Sequence, residues 1–284
     1  MPLHTEPLTE KVDRIVDFGE RYIKEYLNAQ YLFRQYEIER ENLQSDWSNA
    51  FKFFLSRIVY QGRRDELSTK VYRTALAELT GYLRSPRALK LRLDRKRQLQ
   101  KRLKRRIGKG KVGKNRDVSM IIDALDFVSN IKDGNIVNYS LGMISKGAVQ
   151  GLYQELDRIR SVGPKTASLF LRDLVFLFGL EDKIQDEIEV LVCFQPIDTW
   201  VRKIVVEDLK TVQESRLSKP TDDEVRRDIC GRLRRKSLRF NAGAWYVGRN
   251  SLNILVKNLE KIEPRRGCET HRSSPYFQGS ICGR

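Results

Sequence analysis

Apolar residues recur along this chain at intervals of three and four and almost never at two, a period that commits the backbone to helices rather than strands. Leu8, Val12, Ile15, Val16, Ile23 and Tyr26 follow it, as do Phe51, Phe54, Leu55, Ile58 and Val59. Val118, Ile121, Ile122, Leu125 and Val128 form a clean stripe on one helix face. The segment 166–178 is apolar nearly all round, which predicts a buried central helix stopped at Gly179. Val201, Ile204, Val205, Leu209 and Val212 mark a further helix, Thr221 with Glu224 gives a capping-box signature for the next, and Leu252, Leu255, Val256 and Leu259 mark a last one. The run 188–194 is too short for periodicity to assign. The fold class is all-α. From Glu263 onward Pro, Gly, Ser and Arg replace the apolar pattern, which predicts a flexible tail over 263–284.

A chain of 284 residues buries enough surface to fold without disulfide or metal staples. Its four cysteines, Cys193, Cys230, Cys268 and Cys282, are widely separated, so reduced thiols are expected and an iron–sulfur loop is not. No apolar run reaches membrane-spanning length, and the first ten residues lack the basic start and apolar stretch of a secretory signal. A cytoplasmic protein with no membrane partner is expected, nucleoid-associated in a prokaryote. The net charge of +17 favours a polyanion. Between Arg84 and Arg116 sixteen basic residues face one acid, Asp94, so only +2 lies elsewhere. The protein is therefore a nearly neutral globule with one concentrated basic insertion, 84–116. Leu89, Leu91, Leu93, Leu99 and Leu103 suggest that part of it is helical, and the glycines at 108, 110 and 113 read as a break. Phosphate contact is the function such a segment serves, giving affinity without sequence choice; a solvated surface insertion is the alternative.

The most informative stretch is Leu156-Asp-Arg-Ile159-Arg160-Ser161-Val162-Gly163-Pro164-Lys165-Thr166-Ala167. One helix ends, a short hairpin turns, and a second helix starts with Gly163 as N-cap and Pro164 at its first position. Backbone N–H groups at Ser161, Val162 and Gly163 then lie beside a helix N-terminus, a geometry that grips phosphate without reading bases. An ordinary αα-hairpin in a helical core would show the same punctuation.

Ile159 to Ala167 resembles the hairpin of the helix-hairpin-helix DNA glycosylases, the superfamily of endonuclease III and the 8-oxoguanine glycosylases, which reads Leu-Pro-Gly-Val-Gly-x-Lys-Thr-Ala. Arg160 replaces the proline and Ser161 the first glycine. Lys165 falls on the catalytic lysine, whose presence implies the bifunctional class. Its amine can attack the sugar C1′, release the base and remain as a Schiff base from which the 3′ phosphate eliminates. The superfamily places an aspartate at the start of the next helix, and Gln195-Pro196-Ile197-Asp198-Thr199-Trp200-Val201 resembles that element. Asp198 suits an N-cap after the extended approach that Pro196 imposes. By resemblance it also stabilises the oxocarbenium-like transition state and helps take the proton from Lys165.

Lys165 and Asp198 are 33 positions apart, a longer crossover than in endonuclease III and typical of the archaeal GO glycosylases. Gln30-Tyr31, Asn241-Ala-Gly-Ala-Trp245-Tyr-Val-Gly248-Arg249 and Arg265-Arg-Gly-Cys268 are also similar to that branch. The resemblance implies that Trp245 stacks on a flipped purine, that Gln30 hydrogen-bonds its edge and that Arg172 is a basic pocket residue. Asn241 stands where the branch uses an aspartate, so an acceptor becomes an amide. Gln61 stands where endonuclease III has a glutamine that fills the gap left by the flipped base.

The resemblance thus implies a two-lobed fold with the active site between the lobes. Residues 51–198 form one lobe, carrying the helix-hairpin-helix (156–178) and the basic insertion, and 1–50 with 199–262 form the other. The implied function is a monomeric DNA glycosylase and AP lyase of base excision repair. It acts on duplex DNA containing a damaged base, an oxidised purine such as 8-oxoguanine, with no metal or cofactor. An oxidised-pyrimidine glycosylase and a noncatalytic helix-hairpin-helix DNA-binding protein are the alternatives. An RNA partner is suggested by charge alone.

Overall fold

The structure is a computed structural model that describes residues 8–28, 34, 36–60, 65–81, 83, 93–107, 114–209 and 219–259. Regular structure among the described residues is entirely helical, so the all-α class holds. Residues Met1–Arg249 form one compact unit, and Asn250–Arg284 a second whose described part is helical backbone to Leu259. The predicted tail, residues 84–92 and 108–113 of the basic insertion with the glycines at its break, Val212, Gln30 and Gln61 lie outside the described residues.

Helix α1 (Leu8–Arg21) runs directly into a wider π-helical stretch, Tyr22–Asn28. Then come α2 (Trp47–Ile58), α3 (Asp65–Leu79), α4 (Leu93–Ile107), α5 (Lys114–Ser129), α6 (Ile136–Ser145) and α7 (Val149–Asp157). Helix α8 (Pro164–Leu177) is the central one: every residue from Phe170 to Leu177 is buried. A short α9 (Ile188–Leu191) and a 3-10 turn, Val192–Phe194, occupy the run that periodicity left unassigned. Helices α10 (Thr199–Arg202), α11 (Asp222–Leu233) and α12 (Lys236–Leu259) complete the order.

Local chemistry sets the boundaries. Asp46 caps α2 by accepting from Ser48 N at 2.8 Å. The predicted capping box closes α11, where Glu224 N donates to Thr221 Oγ1 at 3.2 Å and Thr221 N to Glu224 Oε2 at 2.6 Å. Gly163 and Pro164 start α8 as the sequence predicts, and Gly179, at φ 61°, ends it in the left-handed conformation that glycine adopts without strain. One stripe winds differently from its reading. Past Arg202 the backbone relaxes into a π-helical stretch, Lys203–Asp208, where Leu209 N reaches back five residues to Ile204 O at 2.8 Å. Its valines still bury, because Ile204, Val205 and Val206 pack with Val12, Val225, Ile229, Phe240 and Ala244 in one cluster.

The core around α8 is aromatic. Phe54 meets Phe170 edge-on at 4.9 Å between centroids, and Phe53 meets it at 5.8 Å. Two glycines let α1 and α12 approach at backbone distance: a methyl group on Gly243 would overlap Ile15 O, and one on Gly19 would overlap Arg239 O. In α4, Leu99 and Leu103 are fully buried, against α3 and α5, while Arg95, Arg97, Lys101 and Arg105 are exposed. Glu78 of α3 pairs with Arg102 (3.1 Å) and Arg106 (2.7 Å), and Asp126 of α5 pairs with Lys96. No helix among the described residues is long and apolar enough to cross a membrane.

Candidate active site

Four stretches of chain present their side chains to one cavity by helical spacing. Lys165, Leu169 and Arg172 lie at i, i+4 and i+7 on α8; Tyr22 and Tyr26 are four apart beyond α1; Asn241 and Trp245 are four apart on α12; Arg57 and Tyr60 flank the end of α2. Pro196 and Asp198 close the rim. The predicted pair, Lys165 and Asp198, therefore shares one cavity with three of the predicted pocket residues, Arg172, Asn241 and Trp245. The cavity is small, about 40 Å³.

Lys165 sits in the first turn of α8 and is half-buried. Among the described residues its side chain has no hydrogen-bond or ion-pair partner. Asp198 has extended backbone (φ −121°, ψ −176°) and caps α10 through one oxygen: Oδ1 accepts from Trp200 N and Val201 N, each at 2.9 Å. Its second oxygen takes no part in the cap. The segment before it is pinned from two helices. Arg226 Nε of α11 donates to Gln195 O at 2.9 Å, while Gln195 Nε2 donates to Ser237 Oγ at 3.0 Å and Asn241 Nδ2 to Pro196 O at 3.3 Å.

In the hairpin, Ser161 stands at φ 66°, where the superfamily motif has glycine. Val162 is buried and its N–H donates to Ile159 O at 2.8 Å, closing the turn. That amide is therefore spent within the hairpin and does not face outward as expected. Gly163 starts α8 with no side-chain cap.

The aromatic wall is continuous. Trp245 lies edge-on to Tyr22 (centroids 5.5 Å) and tilted against Tyr26 (4.8 Å), with the Arg249 guanidinium 5.2 Å from its own ring. Burial pushes the Tyr26 hydroxyl up to about 12 and raises Tyr22 and Tyr60 further still, so these rings face the cavity as neutral hydroxyls. Tyr36 OH donates to Tyr60 OH at 2.7 Å, and Tyr72 OH to Tyr36 O at 2.6 Å.

Under the cavity lies a buried ionic cluster that the sequence reading missed. Asp173 receives Arg57 Nη1 at 2.9 Å, Arg172 Nη2 at 3.1 Å and Tyr22 OH at 2.9 Å. Arg172 Nη1 donates to Asn241 Oδ1 at 2.7 Å and Nη2 to the Tyr22 oxygen at 2.9 Å. Arg57 and Arg172 are 1 % exposed and Asp173 and Asn241 fully buried. The donors of Arg172 and the amide of Asn241 are thus engaged with protein groups. Arg57, a charge inside an apolar run, and Asp173, inside a segment apolar nearly all round, were the signals available in the sequence.

Among known proteins the chain matches no family model and no solved structure. It is similar to an uncharacterized protein of Methanocaldococcus jannaschii, with 34% identity over 87 residues, 30% of this chain and 19% of that protein. The chain thus spans about a fifth of the length of the curated relative it matches.

Proposed function

We propose that this chain is a bifunctional DNA glycosylase and AP lyase of the helix-hairpin-helix superfamily that excises an oxidised purine, 8-oxoguanine in the first instance. The observation that carries the reading is the convergence of Lys165, unpaired among the described residues, and the half-engaged carboxylate of Asp198 on one aromatic-walled cavity. In the lobed arrangement this implies, Tyr22, Tyr26, Asn241 and Trp245 belong to one lobe and Arg57, Lys165 and Arg172 to the other.

The chemistry follows from the groups present. As the bond from base to C1′ breaks, its electron pair leaves with the base, and the free Asp198 oxygen supports the cationic sugar. Lys165 Nζ forms a bond to C1′ and gives a proton to Asp198. That proton passes from Asp198 to O4′ as the C1′–O4′ bond opens, which yields a Schiff base. Loss of a proton from C2′ then expels the 3′ phosphate, and water releases the lysine. With Tyr26 and Trp245 already 4.8 Å apart, a flipped base enters only as these rings separate.

Borohydride trapping tests the reading. The full chain, incubated with duplex containing 8-oxoguanine or an abasic site, is expected to form a covalent adduct that Lys165→Gln does not form. An unaltered yield with Lys165→Gln removes Lys165 from the chemistry. No adduct from the unsubstituted chain on either duplex removes the lyase reading and leaves a DNA-binding module.

A further inference from the structure

The cluster under the cavity does not balance. Two guanidiniums meet one carboxylate, with Tyr22 and Asn241 neutral, so the buried group carries one excess positive charge. Burying an uncompensated ion is strongly destabilising unless something brought to the site balances it. Arg57 bears most of the imbalance. Among the described residues Nη1 alone is paired, with Asp173; Nε and Nη2 are fully buried and have no acceptor there. A buried donor left without an acceptor is destabilising, so the site favours any ligand that supplies one. Of the unpaired buried side-chain atoms among the described residues, only those of Arg57 belong to a residue lining the cavity. Phe53 supports the guanidinium at 5.3 Å.

We infer that Arg57 is the leaving-group site: Nε and Nη2 take the acceptor edge of the flipped base, and the excess charge stabilises the anion it becomes. This rests on the glycosylase reading and deepens it. When the glycosidic bond breaks, its two electrons remain on the base nitrogen, and the base leaves as an anion that water later protonates. Asp198 and Lys165 act on the sugar side. Arg57 supplies the complementary charge on the base side, in a site where water does not screen it. The substrate class is a purine with ring-edge carbonyl oxygens that departs as an anion. A purine already cationic in DNA, such as 7-methylguanine, departs neutral and meets repulsion instead.

Single-turnover excision by Arg57→Gln and Arg57→Lys is compared with strand cutting at a preformed abasic site, which has no base to release. Expected is a loss of excision of about 100-fold or more on 8-oxoguanine, the size of a lost oxyanion donor, with abasic cutting within about 3-fold of the unsubstituted chain. The unsubstituted chain is expected to spare 7-methylguanine. Should Arg57→Gln not fold, Arg57→Lys keeps the charge for Asp173 while removing the forked donors, and the same split is expected from it. Excision retained in the variants, or abasic cutting lost in step with excision, overturns the proposal while leaving Lys165 chemistry intact. No adduct from the unsubstituted chain on abasic DNA is a different failure, that of the glycosylase reading, and takes this proposal with it.

Discussion

Under the proposed function Asp198 divides its labour between its oxygens, and substitutions can separate the two tasks. Oδ1 holds Trp200 N and Val201 N, so Asp198→Ala uncaps α10 and is expected to cost about 1 kcal/mol of stability. Asp198→Asn keeps an oxygen for the cap and removes the anion. It is expected to melt within a degree or two of the unsubstituted chain, yet to excise about 100- to 10,000-fold more slowly. A full-rate Asp198→Asn enzyme would reduce the residue to a cap. Both Asp198 and Lys165 were legible because caps and hairpins are local events, written in consecutive residues. Arg172 was named from the resemblance, but its clustering with Arg57, Asp173 and Tyr22 was not legible, since Tyr22 lies 151 positions from Asp173 and only tertiary packing brings them together. Ser161 is an intermediate case: it stands where the resembled motif has glycine, and the backbone takes φ 66° all the same, at a cost of about 1–2 kcal/mol for a side-chain-bearing residue.

Helix positions came through where the apolar period is long, as in α5 and α8, because burial of one face decides the winding. What the period does not carry is the change from α to π winding at Tyr22 and at Lys203, since the same face stays buried in both. Nor does it reveal how closely two helices cross. Gly243 in α12 touches Ile15 O of α1, two residues before Trp245, so this crossing sets the distance between Trp245 and the Tyr22–Tyr26 ladder. Gly243→Ala is expected to force the helices apart, lowering stability by about 1–3 kcal/mol and weakening excision with it. Gly142→Ala, on a helix where a methyl group meets nothing within 4 Å, is expected instead to stabilise by about 0.5–1 kcal/mol. Equilibrium urea unfolding of the two variants checks both signs, and equal losses would remove the crossing as the cause.

At the scale of the whole molecule, charge and chemistry are housed apart. The cavity holds its one excess charge buried, while the net +17 is concentrated in 84–116, of which α4 is the main described part. That helix is anchored without using its outer face: Leu99 and Leu103 are buried, and Arg102, Arg106 and Lys96 are tied to Glu78 and Asp126. Arg95, Arg97, Lys101 and Arg105 remain exposed, with no ion-pair partner among the described residues. Like charges at this density repel one another, and a phosphate backbone relieves that repulsion by releasing its counterions. Replacing these four by Gln leaves the anchoring leucines and acids untouched, so the fold is expected to persist. Binding to undamaged duplex should weaken, and the slope of log K against log salt should flatten by about 0.9 for each phosphate contact removed. Cutting of abasic duplex at saturating enzyme should hold to within about 2-fold, because counterion release sets affinity rather than the chemical step. An unchanged salt slope would assign the basic face of α4 to something other than DNA, while a fall in saturated cutting would mean that α4 positions the substrate as well as holding it.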